Sequence, residues 1–474
     1  MNKNSRRAVV VGAGPNGLAA AIVLAQAGLK VEVFEAEPQP GGGARTLELT
    51  LPGFRHDFGS AVHPMAAGSP FFSSLPLRDY GLEWIHFPAP VAHPLEDGTA
   101  VVLERDLNEA ARALGEDGKA WDGMVRPYVQ RWKDFAPEIL SPLLRVPRHP
   151  FLLTGFGLQG LLSAQSLANR HFRSHRTKAL FAGLAAHSFL ALDEPLTGAF
   201  GIIFAITAHA VGWPIARGGS QAIANALCAH LAKTGGKVLT SHRVSSLADL
   251  GEFRVALCDV TPRQLLHLAE ERFNPGYRRL LQRYRYGPGV FKVDYALASP
   301  IPWKAPECAR ASTVHIGGTM EEIAVSEEAV QKGKHPERPF ILLAQPTLVD
   351  PTRAPTGKHI AWAYCHVPHA SPVDMLPRIE AQIERFAPGF RDCVLARRVF
   401  RPADLEAMDA NLVGGDIAGG AADWRQFLLR PTWRQYSTSA DDIYICSSST
   451  PPGGGVHGMC GYNAAKAVLS KLRL

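Results

Sequence analysis

The chain has 474 residues, 46% hydrophobic and 20% charged, a composition that excludes general disorder and leaves room for two or three domains. Its formal charge of +7 is modest for this length, and the arginines are scattered rather than clustered, which argues against a nucleic-acid partner. Seven dispersed cysteines without a CxxC pair read as reduced thiols, and residues 1–7 lead straight into a strand with no room for a signal peptide, so a cytoplasmic location is expected. The longest apolar stretch near the middle, 197–213, is interrupted by His209 and is short for a bilayer span.

Ala8-Val9-Val10-Val11 has the unbroken apolar character of a buried parallel strand. It breaks at Gly12-Ala13-Gly14-Pro15-Asn16-Gly17, continues as an alanine-rich helix over 18–27 closed by Gly28, and is followed by a second strand over 30–34. Strand, G-x-G-x-x-G, helix, strand and acid together predict a dinucleotide site. Gly12 makes the tight turn, Gly14 leaves room for a pyrophosphate, and Gly17 lets the helix lie close on the sheet. Pro15 and Asn16 lie in the glycine loop just ahead of that helix, whose N-terminal N–H groups suit the phosphates. Glu35, 18 residues after Gly17, is placed to take ribose hydroxyls.

The next stretch, beginning at Ala36 and including Gly42 and Gly43, lets backbone approach an anionic cofactor, and Arg45 offers a charged fork to phosphate. Residues 52–60 then read Pro-Gly-Phe-Arg-His-Asp-Phe-Gly-Ser. A glycine pair and an arginine shortly after the ribose acid, then G-F-x-x-D-x-G ending at Gly59 and Ser60, resembles the flavin-binding opening of the phytoene desaturase and amine oxidase superfamily. The resemblance implies FAD as cofactor, with this segment beside its pyrophosphate and ribityl chain.

Residues 88–103 predict a hairpin turning at Glu96-Asp97-Gly98. Residues 106–135 read as helical, with Trp121, Met124, Tyr128 and Trp132 as a core stripe. A second G-x-G-x-x-G, at Gly155, Gly157 and Gly160, has no good strand before it and no acid for thirty residues after it, so it reads as chance. For 149–167 two readings stay open. One is a buried helix of a substrate domain; the other is peripheral membrane contact by an apolar segment bracketed by Arg145, Arg148, Arg170 and Arg173. Residues 182–213, with Phe189, Phe200 and Phe204, suit an apolar pocket or ordinary core.

From residue 213 onward, Gly218-Gly219, a helix over 222–234 and a strand leading to Val244 resemble the superfamily's second cofactor segment. The resemblance implies that Val244 offers backbone to the adenine and that the next strand, beginning at Val255, runs to Asp259. Residues 286–297 read as a glycine turn into a strand, with Val290, Lys292, Asp294 and Ala296 on one face. Closed by Pro302-Trp303, this is similar to the amine oxidase segment that places a lysine near flavin N5 through a water. Lys292 is therefore a candidate catalytic cation, with a solvent-facing lysine as the alternative.

Strands at 340–344 and 359–366 and a helix over 375–386 complete a substrate domain, in which His366 and His369 read as proton shuttles or structural histidines. No metal site is expected, since His171 and His175 stand among arginines. Near the end of the chain a strand from Ile443 runs through Ser447 and Ser448 into Gly453-Gly454-Gly455-Val456-His457-Gly458 and a helix. That helix start suits the anionic edge of a reduced flavin. It resembles the C-terminal FAD motif of phytoene desaturase-like proteins, implying contacts from Ser448, Gly455, Val456 and Gly458 and making His457 a second catalytic candidate. Where those proteins often carry glycine and an acid, Ser447 and Ser448 leave a hydroxyl as the substitute.

The expected architecture is α/β: a Rossmann-type FAD-binding domain assembled from 1–75, 213–285 and 405–474, and a mixed α+β substrate domain from 76–212 and 286–404, as in two-domain amine oxidase and phytoene desaturase-like flavoproteins. The resemblance implies an FAD-dependent oxidoreductase that desaturates or saturates C–C bonds of an apolar, isoprenoid- or lipid-like substrate. Hydride would move to or from flavin N5, with a quinone or oxygen as electron acceptor. A flavin amine oxidase and a flavin-bearing binding or assembly protein stand beside it as alternatives.

Overall fold

Two sheets organise the chain in the computed structural model, which describes residues 6–142 and 145–474. The first has five parallel strands in the order Ile443–Ile445, Val255–Cys258, Arg7–Val11, Lys30–Phe34, Lys237–Leu239. Its central strands are apolar on both faces because both faces are covered. Pro15–Gln26, Gln221–Lys233 and Met459–Leu472 pack one side, while Pro262–Ala269 and Pro275–Gln282 pack the other. Two glycines permit this closeness. A Cβ on Gly17 would lie 2.1 Å from the Gly12 carbonyl oxygen, and one on Gly461 would lie 1.8 Å from that of Asn16. The C-terminal helix can therefore cross the first helix backbone to backbone.

The second sheet has seven strands in the order Val394–Phe400, Gly289–Leu297, His359–Val367, Ile341–Ala344, Ala311–Ile316, Ala89–Pro94, Ala100–Leu103. All pairs are antiparallel except Ala311–Ile316 with Ala89–Pro94. Leu376–Phe386 packs against one face. The other faces a layer of helices between residues 107 and 210.

The continuous helix expected over 106–135 is instead broken into Leu107–Ala113, Gly118–Val129 and Trp132–Ile139. Gly115 turns the chain at φ +58°, and Gly118 then packs so closely that its Cβ would meet the Ala111 carbonyl at 1.9 Å. The stripe of Trp121, Met124 and Tyr128 is buried. Residues 149–167 form a helix, Pro150–Gly160, and the start of another, Ala164–His171, so the second glycine motif is helical. No helix among the described residues is long and apolar enough to cross a membrane.

Candidate active site

Between the two sheets lies a cavity of about 1030 Å³. Of the residues expected to bind the cofactor, with the catalytic candidates Lys292 and His457, all but Gly17 and Gly458 line it: Gly12, Gly14, Pro15, Asn16, Glu35, Ala36, Gly42, Gly43, Arg45, Gly59, Ser60, Val244, Asp259, Ser448, Gly455, Val456, Lys292 and His457; His366, His369 and Ser447 do not. Gly17 sits behind the loop, and Gly458 starts the last helix in a left-handed conformation against Phe72. Segments far apart in the chain meet here because the parallel strands of the first sheet all end on this side.

On the nucleotide side the polar groups are held in advance. The Glu35 carboxylate accepts from Ala13 N–H at 2.7 Å and from Glu37 N–H at 2.9 Å, so its position is fixed before any ribose arrives. Arg45 lies over the Phe58 ring and donates to the carbonyls of Gly42 at 2.9 Å and Met408 at 2.8 Å, tying the glycine stretch to the far wall. Asp259 accepts from Gly17 N–H at 2.8 Å, and the same Oδ2 would lie 2.8 Å from a Cβ on Gly14. Burial pushes this carboxyl up to about 7, with Asp409 and Glu35 adding to it and Gly17 opposing. Asn16 Oδ1 and Ser60 Oγ are buried on the wall with no hydrogen-bond partner. A cradle of glycine backbone with an orphaned amide oxygen and an orphaned hydroxyl fits a dinucleotide, whose ribose hydroxyls donate and whose phosphates accept.

Lys292 occupies the border between the two halves. Its strand is buried along all nine residues, and its side chain shares a face with Asp294, to which Nζ is hydrogen-bonded. Register sets the rest of the box: Lys292 pairs with Tyr364 on one side and Phe400 on the other, and its ammonium lies 5.0 Å from the Phe400 ring and 5.9 Å from that of Trp362. The solvent-facing alternative does not hold. Burial lowers the Lys292 ammonium and raises the Asp294 carboxyl, each opposed by its partner. Behind the pair, His56 Nδ1 stands 3.6 Å from Asp294 Oδ1, and burial first, then Lys292 and Arg353, hold His56 down at about 3, so it is neutral.

His457 has a different setting. Its Nδ1 accepts from Met459 N–H at 3.0 Å, and burial lowers it to about 4 while carbonyls of Gly453 and Gly454 pull the other way. A neutral ring so engaged shapes its own loop. The Ser448 carbonyl accepts from Arg430 at 2.7 Å, and Ser447 Oγ donates to the Val260 carbonyl. His366 is paired with Glu327 at 2.6 Å, and His369 meets the Gly287 carbonyl at 3.0 Å.

Sequence reasoning missed the group that anchors the loops to the second sheet. Asp57 accepts from Thr46 Oγ1, Ser220 N–H and Ser220 Oγ, each at 2.8 Å, and from buried Arg353 at 2.8 Å. The acid was visible in the G-F-x-x-D-x-G motif, but nothing local pointed to Arg353. The apolar pocket that residues 182–213 suited does form, with Phe189, Phe200, Ile203, Phe204 and Trp213 lining the cavity, while the further apolar walls contributed by Leu153, Phe156 and Leu342 were missed.

A parallel nucleotide-binding sheet joined to a mixed sheet, with one cavity spanning glycine loops and an apolar chamber, defines a two-domain α/β flavoprotein. The chain belongs to the flavin containing amine oxidoreductase family, whose model matches residues 16–270, more than half its length, and within the superfamily it is phytoene desaturase-like. It is 27% identical to pyridine nucleotide-disulfide oxidoreductase domain-containing protein 2 of Rattus norvegicus, over 98% of this chain and 94% of that one. It is 23% identical to a lycopene-forming phytoene desaturase of Paracoccus sp., over 98% of each. An oxidoreductase from Methanosarcina mazei shares the fold, with TM-score 0.65 and 18% identity over 98% of this chain and 100% of that one. The protein is a flavin-dependent oxidoreductase, and its cofactor is FAD.

Proposed function

We propose that this protein desaturates or saturates a C–C bond of an apolar, isoprenoid- or lipid-like molecule. The observation that carries the reading is the chamber beyond Lys292, walled by aliphatic and aromatic side chains and continuous with the nucleotide cradle. Among the described residues the carboxylates bordering the cavity are Glu35, Glu37, Asp259, Asp409 and Asp416, and none comes from the helices or second sheet that wall the chamber. A cationic substrate has no counter-ion there, whereas hydrocarbon is favoured at roughly 25 cal/mol for each Å² removed from water.

In this reading 1–75, 213–285 and 405–474 hold the cofactor and 76–212 and 286–404 hold the substrate. Glu35 takes the ribose hydroxyls; Gly12, Gly14, Pro15 and Asn16 meet the pyrophosphate, joined by Gly42, Gly43 and Arg45; Val244 meets the adenine. Ser448, Gly455 and Val456 border the ring. Bound FAD supplies a two-electron acceptor that takes hydride from carbon at its ring. The Lys292 ammonium orients a water at Nζ that takes the proton lost from the neighbouring carbon, while Trp362, Tyr364 and Phe400 exclude bulk water. His457 keeps the glycine loop in place.

The test is product analysis. FAD-loaded protein incubated with detergent-dispersed isoprenoids and acyl lipids plus a quinone should yield products differing by two hydrogens. A second reading, amine oxidation, is favoured by the placement of Lys292 alone. Hydrogen peroxide release from amines, with the isoprenoids unchanged, would replace the first reading by the second. Flavin loading with no turnover of either panel would leave a binding protein.

A further inference from the structure

We propose that the chamber beyond Lys292 ends in a polar recognition site built on His187, which takes a neutral oxygen function (an alcohol, aldehyde or ketone) at the end of the substrate remote from Lys292. The substrate is then an oxygenated isoprenoid or lipid rather than a bare hydrocarbon. The proposal rests on the C–C reading above and narrows its substrate class.

Strand register lays out the floor of the chamber. Lys292 pairs with Tyr364, Tyr364 with Leu342, and Leu342 with His315, so one row of side chains on the same face runs across the sheet. Strands lie ~4.8 Å apart, and three such steps put His315 roughly 14 Å from Lys292. Lys292, Tyr364 and Leu342 line the cavity, whereas His315 is fully buried behind its far wall. The partner of His315 is His187, which does line the cavity; their Nε2 atoms are 3.1 Å apart. The His187 ring is held by Phe204, with centroids 4.4 Å apart, and by Trp213 at 5.6 Å, both on the same wall.

Two neutral imidazoles in that contact share one proton, and their surroundings decide which ring supplies it. Burial holds His187 down at about 3 and His315 well below its ordinary value, so neither ring is charged. His315 Nδ1 is buried without a partner, and a Cβ on Gly183 would meet it at 2.7 Å. A proton there would be an orphaned N–H pressed against the Gly183 backbone, and orphaned buried donors are rarer than orphaned acceptors. His315 therefore carries its proton on Nε2 and donates it to His187 Nε2. The proton of His187 is then on Nδ1, which has no partner among the described residues and is open to the cavity that the ring lines. A hydrocarbon leaves that donor unmet; an oxygen at this place accepts from it.

The rest of the wall sets the charge of the group received. Thr313, two residues before His315 on the same strand, and Tyr364 also line the cavity, and neither hydroxyl has a partner among the described residues. Burial and Glu327 push the Tyr364 phenol up, so it stays a neutral donor. Glu327 is itself buried, 2.6 Å from His366 Nδ1, and Phe189 stacks on His366 with centroids 4.1 Å apart. A carboxylate would meet that acid and no cation: Arg45, Arg243, Lys292 and Arg430 are the cations among the described lining residues, and none belongs to the elements that carry His187, Thr313 and His315. The turn bearing His187 is also strained. Phe189 adopts φ +60°, a left-handed geometry that bulky residues rarely take and that is retained mostly at ligand sites.

The experiment compares geranylgeraniol, its aldehyde and the parent hydrocarbon, each dispersed in detergent, as ligands of the FAD-loaded protein, with binding read from perturbation of the flavin absorbance. The alcohol and aldehyde should bind about tenfold tighter than the hydrocarbon, as one well-made neutral hydrogen bond predicts. His187→Phe keeps an aromatic ring against Phe204 and removes the donor, so the preference should vanish while hydrocarbon affinity stays the same. His187→Asn, whose amide N–H stands near the Nδ1 position, should keep most of the preference. Should His187→Phe fail to load FAD, His187→Leu supplies the same comparison. A wild type without preference, or a preference that survives loss of the donor, overturns the proposal, and turnover of the hydrocarbon in that case leaves the C–C reading standing. Binding of none of the three, with amines reducing the flavin instead, overturns that reading and the proposal with it.

Discussion

Replacing Lys292 by methionine removes a buried ammonium and leaves Asp294, itself fully buried, without its partner. His56, 3.6 Å away and held neutral by burial, does not supply a replacement charge. The least unfavourable folded state then carries Asp294 protonated. Loading that proton costs ~1.4 kcal/mol for every pH unit above the ~3.9 of a free aspartate. The ceiling on the loss is therefore about 4 kcal/mol at pH 7 and about 1.5 kcal/mol at pH 5, in line with the 3–5 kcal/mol usual for breaking a buried pair. The sign follows from the raised carboxyl: stability is present below its unfolded pKa and is lost as pH rises. Adding Asp294→Asn removes the charge and should restore most of the loss at pH 7. Thermal unfolding of the FAD-loaded variants at both pH values reads this directly. If Lys292→Met were as stable as the wild type at pH 7, or if the double variant were worse than the single one, the pairing that underlies the site would be wrong.

Three further outcomes follow from the same geometry. Burial alone would raise the Asp57 carboxyl, but Arg353 and the Ser220 N–H more than offset it and leave it lowered. Arg353→Met should therefore cost about 3–5 kcal/mol near pH 7, with the deficit shrinking as pH falls and Asp57 protonates, measured by denaturant unfolding. Asp259, pushed up to about 7 mainly by burial, lines the glycine cradle as a neutral acid at low pH and as an anion above it. FAD affinity, followed by flavin fluorescence, should fall by up to about tenfold per pH unit above that value, and Asp259→Asn should flatten the profile. Gly461→Val would force a methyl-bearing carbon to within 1.8 Å of the Asn16 carbonyl, so the purified protein should be poorly folded and flavin-depleted, which the visible to ultraviolet absorbance ratio reports.

The nucleotide cradle was legible in the sequence because its information is local. Glycine spacing, a strand on each side and a terminal acid lie within residues 8–35, and the backbone does most of the work. The alternation of residues 290–296 likewise placed Lys292 and Asp294 on one face without any knowledge of the sheet. What closes the site is non-local. Arg353 reaches Asp57 across 296 residues, and Trp362, Tyr364 and Phe400 surround Lys292 through sheet register. The break at 114–117 was hidden for another reason: the apolar period continues across it, while the turn depends on how tightly Gly118 packs on Ala111. Exposure was hidden too, since an apolar helix reads alike whether its outer side meets protein or not. Phe151 and Leu158 differ from Phe156 only in where the fold points them.

The central claim is that FAD in this cradle exchanges hydride with an apolar molecule held beyond Lys292. Its most direct test is anaerobic mixing of the FAD-loaded protein with isoprenoid polyenes or with amines, following the flavin absorbance near 450 nm. The account predicts one FAD per chain, bleached in a single turnover by a reduced isoprenoid and left oxidised by amines. Bleaching by amines alone, or a purified chain that carries no flavin, would contradict it.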